Sequence, residues 1–241
     1  MGGHCAAAAY LEAMQNALII AHGSPADPEP QEAALQALAA RVGTYLPGWC
    51  LRGTTLALPG ALDRAVAAQP DALIFPFFMA EGWFTRQQLP RRLAEAGMVS
   101  PRQTPAFGHH PRLLPLLAKV AEQAALAQHL PPDTTLLLAA HGSQASRASA
   151  TRTEELAAQL REVTRFRIVT GYLEEAPFVV DQARDLGPAL CLPLFATRAG
   201  HVAQDLPAAL TEAGFTGKLL PAIGEHTRVP AMIAEALVLA N

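Results

Sequence analysis

The chain has 241 residues, with 18 basic side chains against 21 acidic ones and 51% of its residues hydrophobic. That length suits one large or two small domains, and a charged content of 16% is far below that of a disordered, highly charged chain. A formal charge of -3, with basic residues scattered singly, excludes a nucleic-acid reader or a binder of anionic membrane surfaces, and no apolar run approaches the roughly 20 residues of a membrane-spanning helix.

In chain order, the opening Met1 to Tyr10 lacks the positive start and long apolar stretch of a secretory signal. The structured protein is expected to begin at Met14, after a disordered tail. Cys5, Cys50 and Cys191 form no Cys-x-x-Cys pair, which points to a reducing cytoplasm and away from a zinc knuckle, an iron–sulfur cluster or a disulfide framework. Ala17 to Ala21 is a short continuous apolar run before a glycine turn, the pattern of a strand buried on both faces. A helix is predicted over Gln31 to Val42, with Leu35, Leu38 and Val42 on one stripe. Strands follow at Gly53 to Ala57, Leu73 to Phe77 and Thr104 to Phe107. Beyond Leu130-Pro131-Pro132-Asp133 the pattern restarts: a strand over Thr134 to Ala140, a helix over Ala150 to Glu162, then strands at Arg167 to Leu173, Ala189 to Leu194 and Lys218 to Ile223.

The restart is a true repeat. Ala21-His22-Gly23-Ser24 returns as Ala140-His141-Gly142-Ser143, 119 positions later. Pro76-Phe77-Phe78 through Leu89-Pro90 is answered by Pro193-Leu194-Phe195 through Leu206-Pro207, at 117. Pro105-Ala106-Phe107-Gly108 is answered by Pro221-Ala222-Ile223-Gly224, at 116. Nearly constant offsets at separate anchors mark two homologous halves, read as 14–130 and 131–241. Strands alternating with helices predict an α/β fold of two domains, each a mostly parallel sheet flanked by helices, facing a central cleft. Ligands collect beyond the carboxyl ends of such strands, where both His-Gly-Ser runs fall.

The halves differ at three equivalent loops. Aligning Gly53 with Gly171 sets Leu56 against Glu174 and Ala57 against Glu175; counting from the Pro-Phe-Phe and Pro-Leu-Phe segments sets Phe84 against His201 and Gln88 against Asp205. The second half thus keeps His141, Glu174 or Glu175, and His201, where the first has His22, Leu56 and Phe84. Two imidazoles and a carboxylate suit a borderline divalent cation and can take up protons near neutral pH. Ser24 and Ser143 lack the Gly-x-Ser-x-Gly elbow of a serine hydrolase, and neither a dinucleotide fingerprint nor a Walker loop is present.

The strand followed by His-Gly-Ser, the Leu173-Glu174 after a second strand, and Pro193-Leu194-Phe195 leading to His201-Val202-Ala203-Gln204-Asp205-Leu206-Pro207 resemble the class II chelatases of the CbiX and SirB type, in their long two-domain form. The resemblance runs from about Ala17 to the end. It implies ATP-independent insertion of a divalent metal, cobalt or iron with nickel or zinc possible, into sirohydrochlorin or a related tetrapyrrole on the way to cobalamin or sirohaem. It implies His141, His201 and Glu174 (or Glu175) as metal-binding and catalytic residues. Family members of this form often carry the complete histidine pair in the amino-terminal half; this sequence carries it in the other. Ala199 also stands where the family has a glycine before the metal histidine.

His22 is expected to line the ring pocket or hold its turn. Arg86, Arg147 and Arg198 follow strand ends and are candidates for the substrate's carboxylates, the alternative being solvated surface charge. Asp205 is expected to cap or brace the loop of His201, and His109, His110 and His226 to play turn or capping roles. Phe78, Trp83 and Phe84 read either as a stacking surface or as core. No permanently bound cofactor is expected, the metal being a substrate. Nor is a nucleic-acid or membrane partner, and the duplication favours a monomer with an internal pseudo-dimer. The rival reading is a non-catalytic tetrapyrrole or metal carrier on the same scaffold.

Overall fold

The computed structural model describes residues 14–144, 146–197 and 204–241; the expected tail before Met14, together with Arg198 and His201, lies outside them. Gln15–Ala21 (β1), Trp49–Thr55 (β2) and Leu73–Pro76 (β3) form one sheet, ordered β2-β1-β3. Thr135–Ala140 (β4), Arg167–Tyr172 (β5), Ala189–Pro193 (β6) and Lys218–Leu219 (β7) form a second, ordered β5-β4-β6-β7. All their pairings are parallel, as the continuous apolar runs predict. The helices are Pro28–Gly43 (α1), Ala61–Ala68 (α2), Leu89–Glu95 (α3), Leu113–Ala127 (α4), Ala148–Val163 (α5), Val179–Ala183 (α6), Leu206–Glu212 (α7) and Val229–Leu239 (α8).

Two of the expected strands shrink. Over Thr104 to Phe107 the only ladder contact is a bridge from the preceding Gln103 to Ile74, and Phe107–His109 is a 3-10 turn. Of Lys218 to Ile223 only Lys218–Leu219 pairs, with Ile223–Glu225 another 3-10 turn. Pro105 and Pro221 explain both, since proline has no amide hydrogen for a ladder.

The two-residue period of a strand sorts its side chains between faces. Leu18 and Ile20 of β1 pack with α2 and α3, while Leu137 and Ala139 of β4 pack with α6 and α7. Ala17, Ile19 and Ala21 join Leu136, Leu138 and Ala140 in a single apolar cluster with residues of α1, α4, α5 and α8. The two sheets therefore share one middle layer. Within it the terminal helices are exchanged: α4 follows the first sheet in sequence but packs on β6 and α5, and α8 packs on β3 and α1. The sequence repeat and the packing unit do not coincide.

The turns that launch the exchanged helices use the histidines as expected. His110 Nδ1 accepts the Arg112 N–H at 3.1 Å and His226 Nδ1 the Arg228 N–H at 3.1 Å, while Arg112 pairs with Glu235 on α8 at 2.6 Å. Burial lowers the pKa of His110, with the charge of Glu235 opposing. Burial lowers those of His109 and His226 too. A base whose folded pKa is depressed stabilises the fold fully above its unfolded value of about 6.5, and that stability is lost as pH falls through the folded value. The urea midpoint is accordingly expected to decline from about pH 7.5 to 5, and less steeply in His110→Asn, whose amide oxygen can replace Nδ1 as acceptor without taking a proton. An identical slope in that variant would remove His110 as a source.

Candidate active site

Each central strand lies at a topological switch point. From β1 the chain passes through α1 on one face to β2, then through α2 on the other face to β3. The crevice this leaves beyond the end of β1 holds His22, and the same path through α5 and α6 sets His141 beyond β4. Both histidines line one cleft of about 530 Å³, together with Phe78, Trp83, Phe84 and Phe195. The glycine after each histidine has positive φ, +77° at Gly23 and +71° at Gly142, and a Cβ there would also press on the neighbouring strand's end at Thr55 or Tyr172. The His-Gly pair is thus a tight turn that aims the imidazole into the cleft.

The ladders correct the alignment of the two halves by one residue. Ala21 pairs with Thr55 and Ala140 with Tyr172, and the amides of Leu56 and Leu173 donate equivalently to the Ala21 and Ala140 carbonyls at 3.1 Å. Leu56 therefore matches Leu173, so that Ala57 stands opposite Glu174 and Leu58 opposite Glu175. Matching glycine to glycine misled the sequence comparison, because Gly53 lies against the backbone of α1 whereas Gly171 lies against α6. The conclusion that the first half lacks both acids is unchanged.

The two adjacent glutamates do different work. Glu174 is 43% exposed and its Oε2 lies 3.5 Å from His141 Nδ1. That nitrogen is also 3.1 Å from the Gly142 carbonyl, and since both of these neighbours can only accept, a hydrogen on Nδ1 suits them. Glu175 is 12% exposed. Its Oε1 accepts the Ser143 N–H at 3.0 Å and its Oε2 pairs with Arg147 at 3.6 Å, so it braces the turn that carries His141. Sequence left these two acids interchangeable. In the first half His22 Nδ1 lies 3.2 Å from the Gly23 carbonyl, and its ring packs on Phe84 with centroids 4.9 Å apart.

Beneath these turns are acids that the sequence reading passed over. Glu32 on α1 is buried and accepts the Thr55 N–H at 2.6 Å and its hydroxyl at 2.9 Å. Its position one turn before Leu35 on the apolar stripe was a legible signal. Glu154 on α5 accepts the hydroxyls of Thr170 and Tyr172, both at 2.7 Å, and burial together with Glu154 holds the Tyr172 hydroxyl well above its usual pKa. Glu81 fastens the loop after β3: it accepts the Ala106 N–H at 3.1 Å and pairs with Arg86 at 3.3 Å. Burial pushes its pKa up, but these partners outweigh it and hold the carboxyl below its usual range.

Arg86 and Arg147 are thus both engaged with carboxylates, and both are largely exposed. Asp205 occupies the N-cap position of α7 without a side-chain cap hydrogen bond to that helix; the loop of His201 that it is expected to cap or brace lies outside the described residues. Among the described residues no group of three or more His, Cys, Asp and Glu could hold a metal, and no helix is long and apolar enough to cross a membrane. The described part of the predicted centre is the His141–Glu174 pair.

The CbiX family model matches residues 16–124 and 135–239. The chain belongs to the CbiX chelatase family. The solved structure of CbiX described as the terminal enzyme for the biosynthesis of sirohaem in denitrifying bacteria is 52% identical, with a TM-score of 0.87, over 94% of this chain and all of that one. SirB from Bacillus subtilis, solved with Fe3+, shares the fold at 13% identity and a TM-score of 0.72, over 94% of this chain and 95% of its own. A multi-domain chelatase-like protein of Deinococcus radiodurans does so at 23% and 0.66, over 94% of this chain and 54% of its own. A search of curated proteins returned no match.

The division between the acids predicts unequal stability effects. Glu175→Ala leaves the Ser143 N–H without its carboxylate and is expected to cost about 1–3 kcal/mol in denaturant unfolding. Glu174→Ala, at a half-exposed position, is expected to stay within about 0.5 kcal/mol of wild type. Equal losses would show that both acids brace the turn.

Proposed function

We propose that the chain inserts Co2+ or Fe2+ into sirohydrochlorin or a related tetrapyrrole, without ATP, and that its carboxyl-terminal half carries the chemistry. The observation that carries this reading is His141 at a switch point, lining a cleft whose other wall is aromatic, with Glu174 beside its Nδ1. The sirohaem role of the 52% identical CbiX favours iron. The metal enters as a substrate, not as a resident cofactor. The chain works in the cytoplasm, consistent with the described cysteines being free, one exposed and one buried, and as a monomer whose two halves supply an internal pair.

The free-base macrocycle carries two pyrrolic protons that must leave as the dication enters, so the net change is one metal ion in and two protons out. His141 Nε2 and His201 hold the metal and accept these protons in turn. Glu174 works through Nδ1 of His141, where its carboxylate orients the ring, the carboxylate–histidine arrangement of ligating imidazoles. The cleft supplies positioning and strain on the ring. Arg86, Arg147 and Arg198 receive the peripheral carboxylates, the first two by exchanging a glutamate partner for the ligand.

The test is an anaerobic spectrophotometric assay of sirohydrochlorin with Fe2+ and then Co2+, corrected for spontaneous insertion. Turnover is expected in wild type, with His141→Ala and His201→Ala each lowering it roughly 100-fold or more, the scale of a lost acid–base group. Glu174→Gln is expected to lower kcat with little change in KM. Stoichiometric binding without turnover in wild type would establish a carrier instead.

A further inference from the structure

Where the second half has Gly200-His201, the first half has Trp83-Phe84. The change is more than the loss of an imidazole, because it adds two aromatic rings at one wall of the cleft. Phe84 tilts against Phe78 with centroids 5.4 Å apart and against His22 at 4.9 Å. Trp83 meets Phe84 edge to face, at 6.4 Å and 74°, yet remains 57% exposed while lining the cleft. An indole that is more than half exposed, meets one aromatic neighbour and lines a cleft is poorly accounted for as core.

The loop that presents it is fixed from several directions. Glu81 ties it to Ala106 and Arg86. The Gly82 N–H is within 3.1 Å of the Thr85 hydroxyl, and the Arg86 N–H bonds the Gly82 carbonyl at 3.0 Å. Gly82 also abuts the start of α5 in the other half, so closely that a Cβ would come within 2.8 Å of that of Ala148. A loop held this way loses little freedom when a ligand covers it.

We propose that Trp83 is a positioning residue for the substrate: its indole stacks on the flat conjugated macrocycle, and the first half has become a platform that presents the ring to the metal-handling half. This rests on the chelatase reading for the identity of the ligand. An indole suits that task, since it gives area and orientation without itself competing for the metal.

The experiment titrates wild type, Trp83→Ala and Trp83→Phe with metal-free sirohydrochlorin under anaerobic conditions, then measures kcat and KM, with Co2+ binding in the absence of macrocycle and thermal melting as controls. Trp83→Ala is expected to weaken macrocycle binding and raise KM about ten-fold, on the scale of one aromatic stack, with kcat, Co2+ binding and melting near wild type. Trp83→Phe, which keeps a π-face, is expected to recover most of the loss. Unchanged binding in Trp83→Ala overturns the proposal, as does a fall in kcat or melting with KM unchanged. Wild-type binding without metal insertion, still weakened in Trp83→Ala, would leave the platform standing and remove the chelatase reading. Absence of macrocycle binding in wild type would remove both.

Discussion

The apolar layer shared by the two sheets is the constraint on which the cleft depends. Strands as apolar as Ala17–Ala21 and Thr135–Ala140 require cover on both faces, and on the inner side that cover is common property: α1, α4, α5 and α8 contribute to one cluster. Because α4 and α8 each pack on the other half's sheet, neither sheet can turn without disturbing a helix covalently tied to its partner. The carboxyl edges of both sheets are thereby held open to the same space, and two histidines 119 positions apart come to line one cavity.

On this nearly symmetric backbone the chemistry is strongly asymmetric. The turns at His22 and His141 share the left-handed glycine, the contact of the ring nitrogen with the following carbonyl, and the place beyond a central strand. What surrounds them differs: Glu174 stands beside one, Phe84 beside the other. A carboxylate at Nδ1 strengthens an imidazole as a base and as a ligand, whereas an aromatic neighbour offers it only packing. Duplication supplied two equivalent turns, and the side chains around them differ, a carboxylate beside one imidazole and an aromatic ring beside the other.

Much of this was legible in the sequence because it is carried by local pattern. Continuous apolar runs marked the buried strands, and repeated His-Gly-Ser and Pro-led segments marked the duplication and the turns at its functional edge. What was illegible depends on distance. Periodicity says that α4 and α8 have buried faces but not what buries them, so the exchange could not be read. Nor could the ladder register, in which the glycine match was one residue out. The separate duties of Glu174 and Glu175 follow from which backbone amide lies within reach of each carboxylate. The shortening of the fourth strand in each half was readable in principle, since Pro105 and Pro221 were both in view.

The exchange of helices also governs the order in which the molecule can become complete. As the chain emerges from the ribosome, α4 appears before any of the strands it will cover, and must carry its apolar face unsatisfied while the second sheet is made. The part of the first sheet's inner face at β3 waits longer still, because α8 follows every described strand in the chain. Complete cover of either half therefore comes late, and until then the nascent chain exposes apolar surface through which association with other chains competes with folding.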